Sequence, residues 1–119
     1  TTHFPGFYLT DSGYTIEHQV DSAVEIAAII HARNALKTDV HALIVANPVA
    51  KEMNRVRHDA ILKSGLEAAA KNGIIGKAVT PFLLEHFHTA SDGESLKVNI
   101  EIIKSNSALA ADIAVAVAK

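Results

Sequence analysis

The chain contains no cysteine and no tryptophan, and aromatic residues make up only 5% of its 119 positions. Without cysteine there is no disulfide frame, no thiolate nucleophile and no zinc–thiolate centre. The same absence fits any compartment. No excess of basic charge exists either. The formal net charge is −2, which argues against a free-standing nucleic-acid binder, since such a protein must neutralise phosphates. Long apolar runs are lacking: stretches such as Ala42–Ala46 fall far short of the roughly 20 residues of a membrane-spanning helix. The opening Thr1-Thr2-His3-Phe4-Pro5 has no initiator methionine, basic n-region or apolar h-region. It reads as the interior of a longer polypeptide.

What is present is apolar and helix-prone. Hydrophobic residues make up 49%, charged residues 20%, and there are 20 alanines. A disordered tail, poor in apolar residues and rich in net charge, is excluded. The length allows one domain at most. Alanine-rich helices bury little area each and suit close packing. Surplus apolar surface is therefore expected to pack on a partner chain or on a further segment.

Three segments read as strands. Phe7-Tyr8-Leu9-Thr10 precedes the turn Asp11-Ser12-Gly13. Tyr14 to Val20 alternates, with Ile16, His18 and Val20 on one face. Val40 to Ala46 is nearly continuous in apolar residues, as in strands covered on both faces, and Asn47-Pro48 ends it. Four segments read as helices. The first starts at the capping box Ser22/Glu25 and runs to about Lys37. The second runs from about Asn54 to Lys71, with Asn72-Gly73 as its stop signal. Thr80-Pro81 opens a third as cap and first residue, through about His88. Ser95 caps the last, which reaches Val117. Three strands interleaved with four helices define an α/β unit. Three strands are few for a sheet covered on both faces, so residues 1–119 read as one incomplete domain.

Candidate chemistry is sparse. Gly76-Lys77 lacks a glycine five residues earlier and a Ser/Thr after the lysine, so it is a turn rather than a phosphate loop. Seven histidines offer no chelating pair: His86 and His88 point about 200° apart on a helix. His58 shares a face with Ile61 and Leu62. His18 and His41 lack a second ligand at useful spacing. Ser12 sits either in a plain Asx-type turn or in a loop whose hydroxyl and amide hold a ligand oxyanion. Asn47 follows the carboxyl end of the buried run, where open α/β sheets bind ligands, and equally fits an ordinary strand-ending turn. On the last helix Asn99 and Asn106 share one face with Ile103, Ala110, Ile113 and Val117. Either both amides tie the helix to nearby backbone or one of them fixes a polar ligand in a pocket.

These same segments carry a family resemblance. Phe7-Tyr8 with Asp11-Ser12-Gly13, Val20-Asp21-Ser22, Val45-Ala46-Asn47-Pro48, Gly73 through Leu84, Gly93 through Ile100, and Asn106 resemble the C-terminal part of pseudouridine-5′-phosphate glycosidases. That family is also called pseudouridylate synthase or indigoidine synthase A-like. The run Gly76-Lys77-Ala78-Val79-Thr80-Pro81-Phe82-Leu83-Leu84 is its most specific piece. The resemblance implies an α/β/α core and reversible cleavage of the C–C glycosidic bond of pseudouridine 5′-phosphate to uracil and ribose 5-phosphate. It also implies a homotrimer, a divalent metal, typically Mn2+, and, in a bacterium, a cytoplasmic location. The Schiff-base lysine, the assisting glutamate and second lysine, and the metal-site aspartate all belong to the family's N-terminal portion, before this chain begins. Lys77 and Lys97 do not replace them. The active-site asparagine of the family's last helix aligns with Asn99, which makes it the candidate catalytic residue here. Ser12, Asn47 and Asn106 are candidate substrate contacts. Many family members carry an arginine just before the Ser-Gly turn, where this chain has Leu9-Thr10. The competing expectation, from a different class, is a non-catalytic interaction module that keeps the fold.

Overall fold

A computed structural model describes residues 2–119. It contains four α-helices: α1 (Ala23–Ala35), α2 (Arg55–Lys71), α3 (Val79–Ala90) and α4 (Glu94–Ala118). A short 3₁₀ turn, Gly76–Ala78, leads into α3. Local chemistry explains the helix ends. The Ser22 hydroxyl accepts from the Glu25 amide at 3.2 Å, and the Glu25 carboxylate reaches back to the Asp21 amide at 2.6 Å. One of the amides left without a helical partner at the start of α1 is thereby satisfied, together with the Asp21 amide just ahead of the cap. Asn54 caps α2 through the Arg57 amide at 3.0 Å. Gly73, at φ +65°, ends it in the left-handed region that glycine enters without penalty.

Two starts differ from the sequence expectation. Thr80 does not cap α3, which begins at Val79, two residues ahead of Pro81, with Ala78 as its N-cap. Pro81 is the third helical residue, and its missing N–H falls among those a first turn leaves unpaired anyway. Ser95 lies inside α4 rather than capping it. The N-cap is Gly93, which has no side chain to offer; the Ser95 amide is met instead by the hydroxyl of Ser91, the C-cap of α3, at 3.0 Å across the turn 91–93. Asp92 and Gly93 both take positive φ in that turn, folding Ser91 back over the helix start. Ser91 is 1% exposed. Ser91→Ala therefore leaves the Ser95 amide without its acceptor and costs about 1 kcal/mol, read as a fall in melting temperature of a few degrees.

The expected strands are the main correction. Among the described residues no strand ladder forms. The one β-bridge pairs His3 with Thr15. Residues 7–10 bend, and residues 42–49 have no regular structure. A strand, unlike a helix, takes its hydrogen bonds from a neighbour, and none lies beside Val40–Ala46. Val40 and Ile44 are 79% and 84% exposed, so an apolar run of the buried type stands uncovered.

The helices pack as two pairs. α1 lies on α4 and α2 on α3, with α3 joining α4 at the turn 91–93. Gly65 makes the second pair close. A Cβ there would meet the His86 ring and a Leu83 methyl, each at 2.9 Å. Gly65→Val overpacks that contact and destabilises by about 1–3 kcal/mol, a loss that thermal unfolding reads directly. The core gathers Tyr8, Met53, Ile61 and Phe87, with Leu62, Val98 and Ile102 packed against it. The Met53 amide donates to the Tyr8 carbonyl at 2.9 Å, pinning the N-terminal segment onto the residues before α2. Burial raises the Tyr8 phenol pKa, and a hydrogen bond with Ser95 partly offsets that rise.

The whole is elongated, 50 × 27 × 25 Å. Its radius of gyration is 17.2 Å, against about 13.5 Å for a compact domain of this length. The accessible surface is 8506 Å², about a third above the roughly 6,200 Å² of a monomer of this mass. The excess is rich in apolar side chains, including Leu96, Ile100 and Ile103 along one side of α4. Such a surface packs on other protein.

Candidate functional site

The residues singled out by sequence gather unevenly. Asn47 and Asn106 are brought together from 59 positions apart. The Asn47 side-chain nitrogen donates to the Asn106 Oδ1 and to the Ser105 hydroxyl, both at 3.0 Å. A primary amide has two N–H bonds, so both are engaged. Asn47 is half-buried and Asn106 exposed. Asn99 stands two turns before Asn106 on the same side of α4, about 10 Å along the axis. It is half-buried. Among the described residues its amide makes no hydrogen bond, so its donors and acceptor remain open to a ligand.

The asparagine face is not the centre of the packed stripe. The covered positions of α4 are Glu94, Ser95, Val98, Asn99, Ile102, Ser105, Leu109, Ile113, Ala116 and Val117, with Asn99 and Val117 at the edge of the stripe, while Ile103 and Ala110 are exposed. The real stripe is turned by roughly 70–80° from the expected one. Asn99 and Asn106 therefore flank the α1–α4 contact rather than sitting beneath it, a better place to meet a ligand than the middle of a helix seam.

Ser12 lies elsewhere, in a tightly bonded turn. Its hydroxyl donates to the Phe4 carbonyl at 2.7 Å, and the Asp11 carboxylate accepts from the Gly13 amide at 2.8 Å. The Asx-type geometry is thus formed. Two residues that sequence spacing did not reveal hold this turn. The Arg55 guanidinium donates to the Asp11 carbonyl at 2.9 Å. The Glu52 carboxylate accepts from both the backbone and the hydroxyl of Thr10, each at 2.7 Å. Those bonds hold the Glu52 carboxyl below its ordinary pKa. Leu9 is buried, so an apolar side chain fills the place beside Thr10. Separations of more than 40 residues leave no local spacing signal for either contact.

Other constellations resolve into structure. Ser64 and His86 meet at 2.8 Å, but the Ser64 hydroxyl donates to the Ile61 carbonyl at 2.9 Å. Its proton is engaged, and the imidazole must donate to it. The pair ties α2 to α3 and is no activated nucleophile. His58 lies against the Phe87 ring, centroids 5.2 Å apart, with Nδ1 3.0 Å from Asp59. It borders an open apolar groove of about 320 Å³ with Phe7, Tyr8, Leu62, Leu83 and Phe87. Gly76 takes φ +60° at the turn before α3, and Lys77 follows on the exposed surface. Among the described residues no three His, Cys, Asp or Glu side chains converge where they could hold a metal ion. Among the described residues no helix is long and apolar enough to cross a membrane.

Two helix pairs thus leave an apolar run uncovered and an asparagine face open. Residues 1–116 match the model of the family described as indigoidine synthase A like protein, and the chain belongs to that family. It is 48% identical over 98% of its length to a pseudouridine-5′-phosphate glycosidase of Salinispora tropica, of which it covers 36%. A protein of the same name from Streptomyces griseus is 48% identical over 99% of the chain and covered for 37%. One from Fervidobacterium nodosum is 41% identical over 96%, covered for 39%. The chain thus spans well under half the length of these relatives.

Proposed function

We propose that these residues are the C-terminal part of a pseudouridine-5′-phosphate glycosidase. The enzyme cleaves the C–C glycosidic bond of pseudouridine 5′-phosphate reversibly, giving uracil and ribose 5-phosphate. The observation that carries this reading is the near-complete match of the chain to one family, with relatives that all bear that name. The excess apolar surface supports its second half: the remaining sequence covers these helices and pairs with Val40–Ala46, completing an α/β/α domain. The assembly is a homotrimer, and Mn2+ or a similar divalent ion binds residues outside this segment.

The chemistry constrains the division of labour. A C–C glycosidic bond has no bridging heteroatom to protonate. In the condensation direction ribose 5-phosphate opens to its aldehyde and condenses with a lysine amine, losing water. The iminium carbon then accepts uracil C5, which loses its proton, and the ring oxygen displaces the lysine amine. Cleavage runs the same steps backwards, with C5 protonated as the C–C bond breaks and the iminium reforms. That lysine comes from the N-terminal portion. This segment supplies positioning. Asn99 presents an uncommitted amide from a rigid helix and orients the sugar or base. Asn47, through its remaining Oδ1, contacts substrate from the same face with Asn106 beside it, and Ser12, in its separate turn, is a further polar contact. The segment by itself is inactive.

The test is direct. The full-length protein, incubated with pseudouridine 5′-phosphate and a divalent metal, releases uracil, followed by chromatography. In reverse, ribose 5-phosphate and uracil condense. A full-length, folded, metal-supplied protein that does neither overturns the assignment.

A further inference from the structure

We infer that Ser105 and Asn106 are positioning residues that act through Asn47, holding its side-chain oxygen towards a hydroxyl or N–H of the sugar-phosphate substrate. This rests on the functional reading above and deepens it. The geometry is specific. Asn47 lies in a segment, residues 42–49, that has no helix or strand to hold it. Its only side-chain hydrogen bonds among the described residues run to the Ser105 hydroxyl and the Asn106 Oδ1, each at 3.0 Å. Two bonds from one planar amide fix both the position and the plane of that amide. With both N–H bonds consumed, the group facing a ligand is the oxygen, an acceptor. Ser105 is a covered position of α4 and cannot drift. Asn106 lies two turns from Asn99 on the same side. The clamp therefore brings the end of an otherwise loose segment beside the helix face that carries the candidate catalytic amide. Holding a contact group in its bound orientation removes an ordering cost from binding.

The experiment uses the full-length enzyme in the condensation direction, with ribose 5-phosphate and uracil as probes. Removing both acceptors, Ser105→Ala with Asn106→Ala, raises KM for ribose 5-phosphate roughly tenfold, the worth of about one uncharged hydrogen bond, and changes kcat by less. Asn106→Asp keeps an oxygen acceptor and recovers most of the loss seen with Asn106→Ala. Asn47→Ala matches the double variant, and adding Ser105→Ala and Asn106→Ala to it raises KM no further, because all three act as a unit. Ser105→Ala alone, a single hydroxyl removed, gives a folded variant if the larger changes do not. A fall in melting temperature with KM unmoved, or fully additive effects, overturns the clamp while leaving the function intact. An inactive folded wild type overturns the functional reading and the clamp's role with it.

Discussion

Asn99→Ala in the full-length enzyme lowers kcat/KM for pseudouridine 5′-phosphate at least tenfold and leaves the melting temperature within a degree or two. The first half follows from the open amide. A side chain that makes no hydrogen bond among the described residues, on a helix held by packing along its other face, is already oriented and still unspent. When it meets substrate, each bond it forms contributes about 0.5–1.5 kcal/mol, and more to a charged partner. Two such bonds, formed more fully in the transition state than before it, make up the tenfold change. The second half follows from position. Asn99 flanks the packed stripe of α4 instead of filling it, so its truncation opens no cavity. Kinetics on the purified variant, with a parallel melting curve, check both. Asn99→Asp separates roles further: it keeps an acceptor and loses the donors, so a donor role leaves it as impaired as alanine. Unchanged kinetics in Asn99→Ala remove this segment's candidate catalytic residue.

How much of this was legible in the sequence depends on the range of the forces involved. α1 and α2 were readable to within a residue or two, because Ser22, Asn54 and Gly73 act on amides and carbonyls within one turn. α3 and α4 are legible as helices, but their caps are not. The 3₁₀ turn before Val79 moves the helix start ahead of Thr80, and the positive φ of Asp92 and Gly93 makes Gly93 the N-cap of α4 and brings the Ser91 hydroxyl to the Ser95 amide. Strand assignments rested on pattern alone. Val40–Ala46 has the composition of a central strand, yet a strand exists only with its neighbours, and they do not lie within these residues. At the site, the helical spacing of Asn99 and Asn106 was visible. The partnership of Asn106 with Asn47 was not, because chain separation hides tertiary contacts. The periodicity also put the asparagines in the middle of the stripe. Ile103 and Ala110 are apolar but exposed on α4, so hydrophobicity alone marked too wide a face. That error is itself informative, since an apolar α4 surface left bare by α1 awaits another element.

Phe87→Ala should produce the opposite signature: a large loss of stability with kinetics per folded molecule close to unchanged. Phe87 is 4% exposed. Its ring lies 5.1 Å from the Tyr8 ring and 5.2 Å from that of His58. It shares the core with Met53 and Ile61, with Val98 and Ile102 of α4 packed against that cluster. One side chain thus joins the N-terminal segment, α2, α3 and α4. Truncating a buried phenylalanine costs about 3–5 kcal/mol through lost burial and the cavity left behind. A melting temperature lower by roughly ten degrees or more follows. Phe87→Leu, nearer in volume, costs less than about 1.5 kcal/mol, which shows that the loss tracks volume. The comparison with Asn99→Ala is the useful one. If α4 serves the reaction by presenting Asn99 from a rigid frame, the frame and the amide fail separately: melting temperature falls in one variant, kcat/KM in the other. Should Phe87→Ala, assayed well below its melting temperature, lose as much kcat/KM as Asn99→Ala, the core beneath α4 would be part of the positioning and the division drawn between scaffold and site would be wrong.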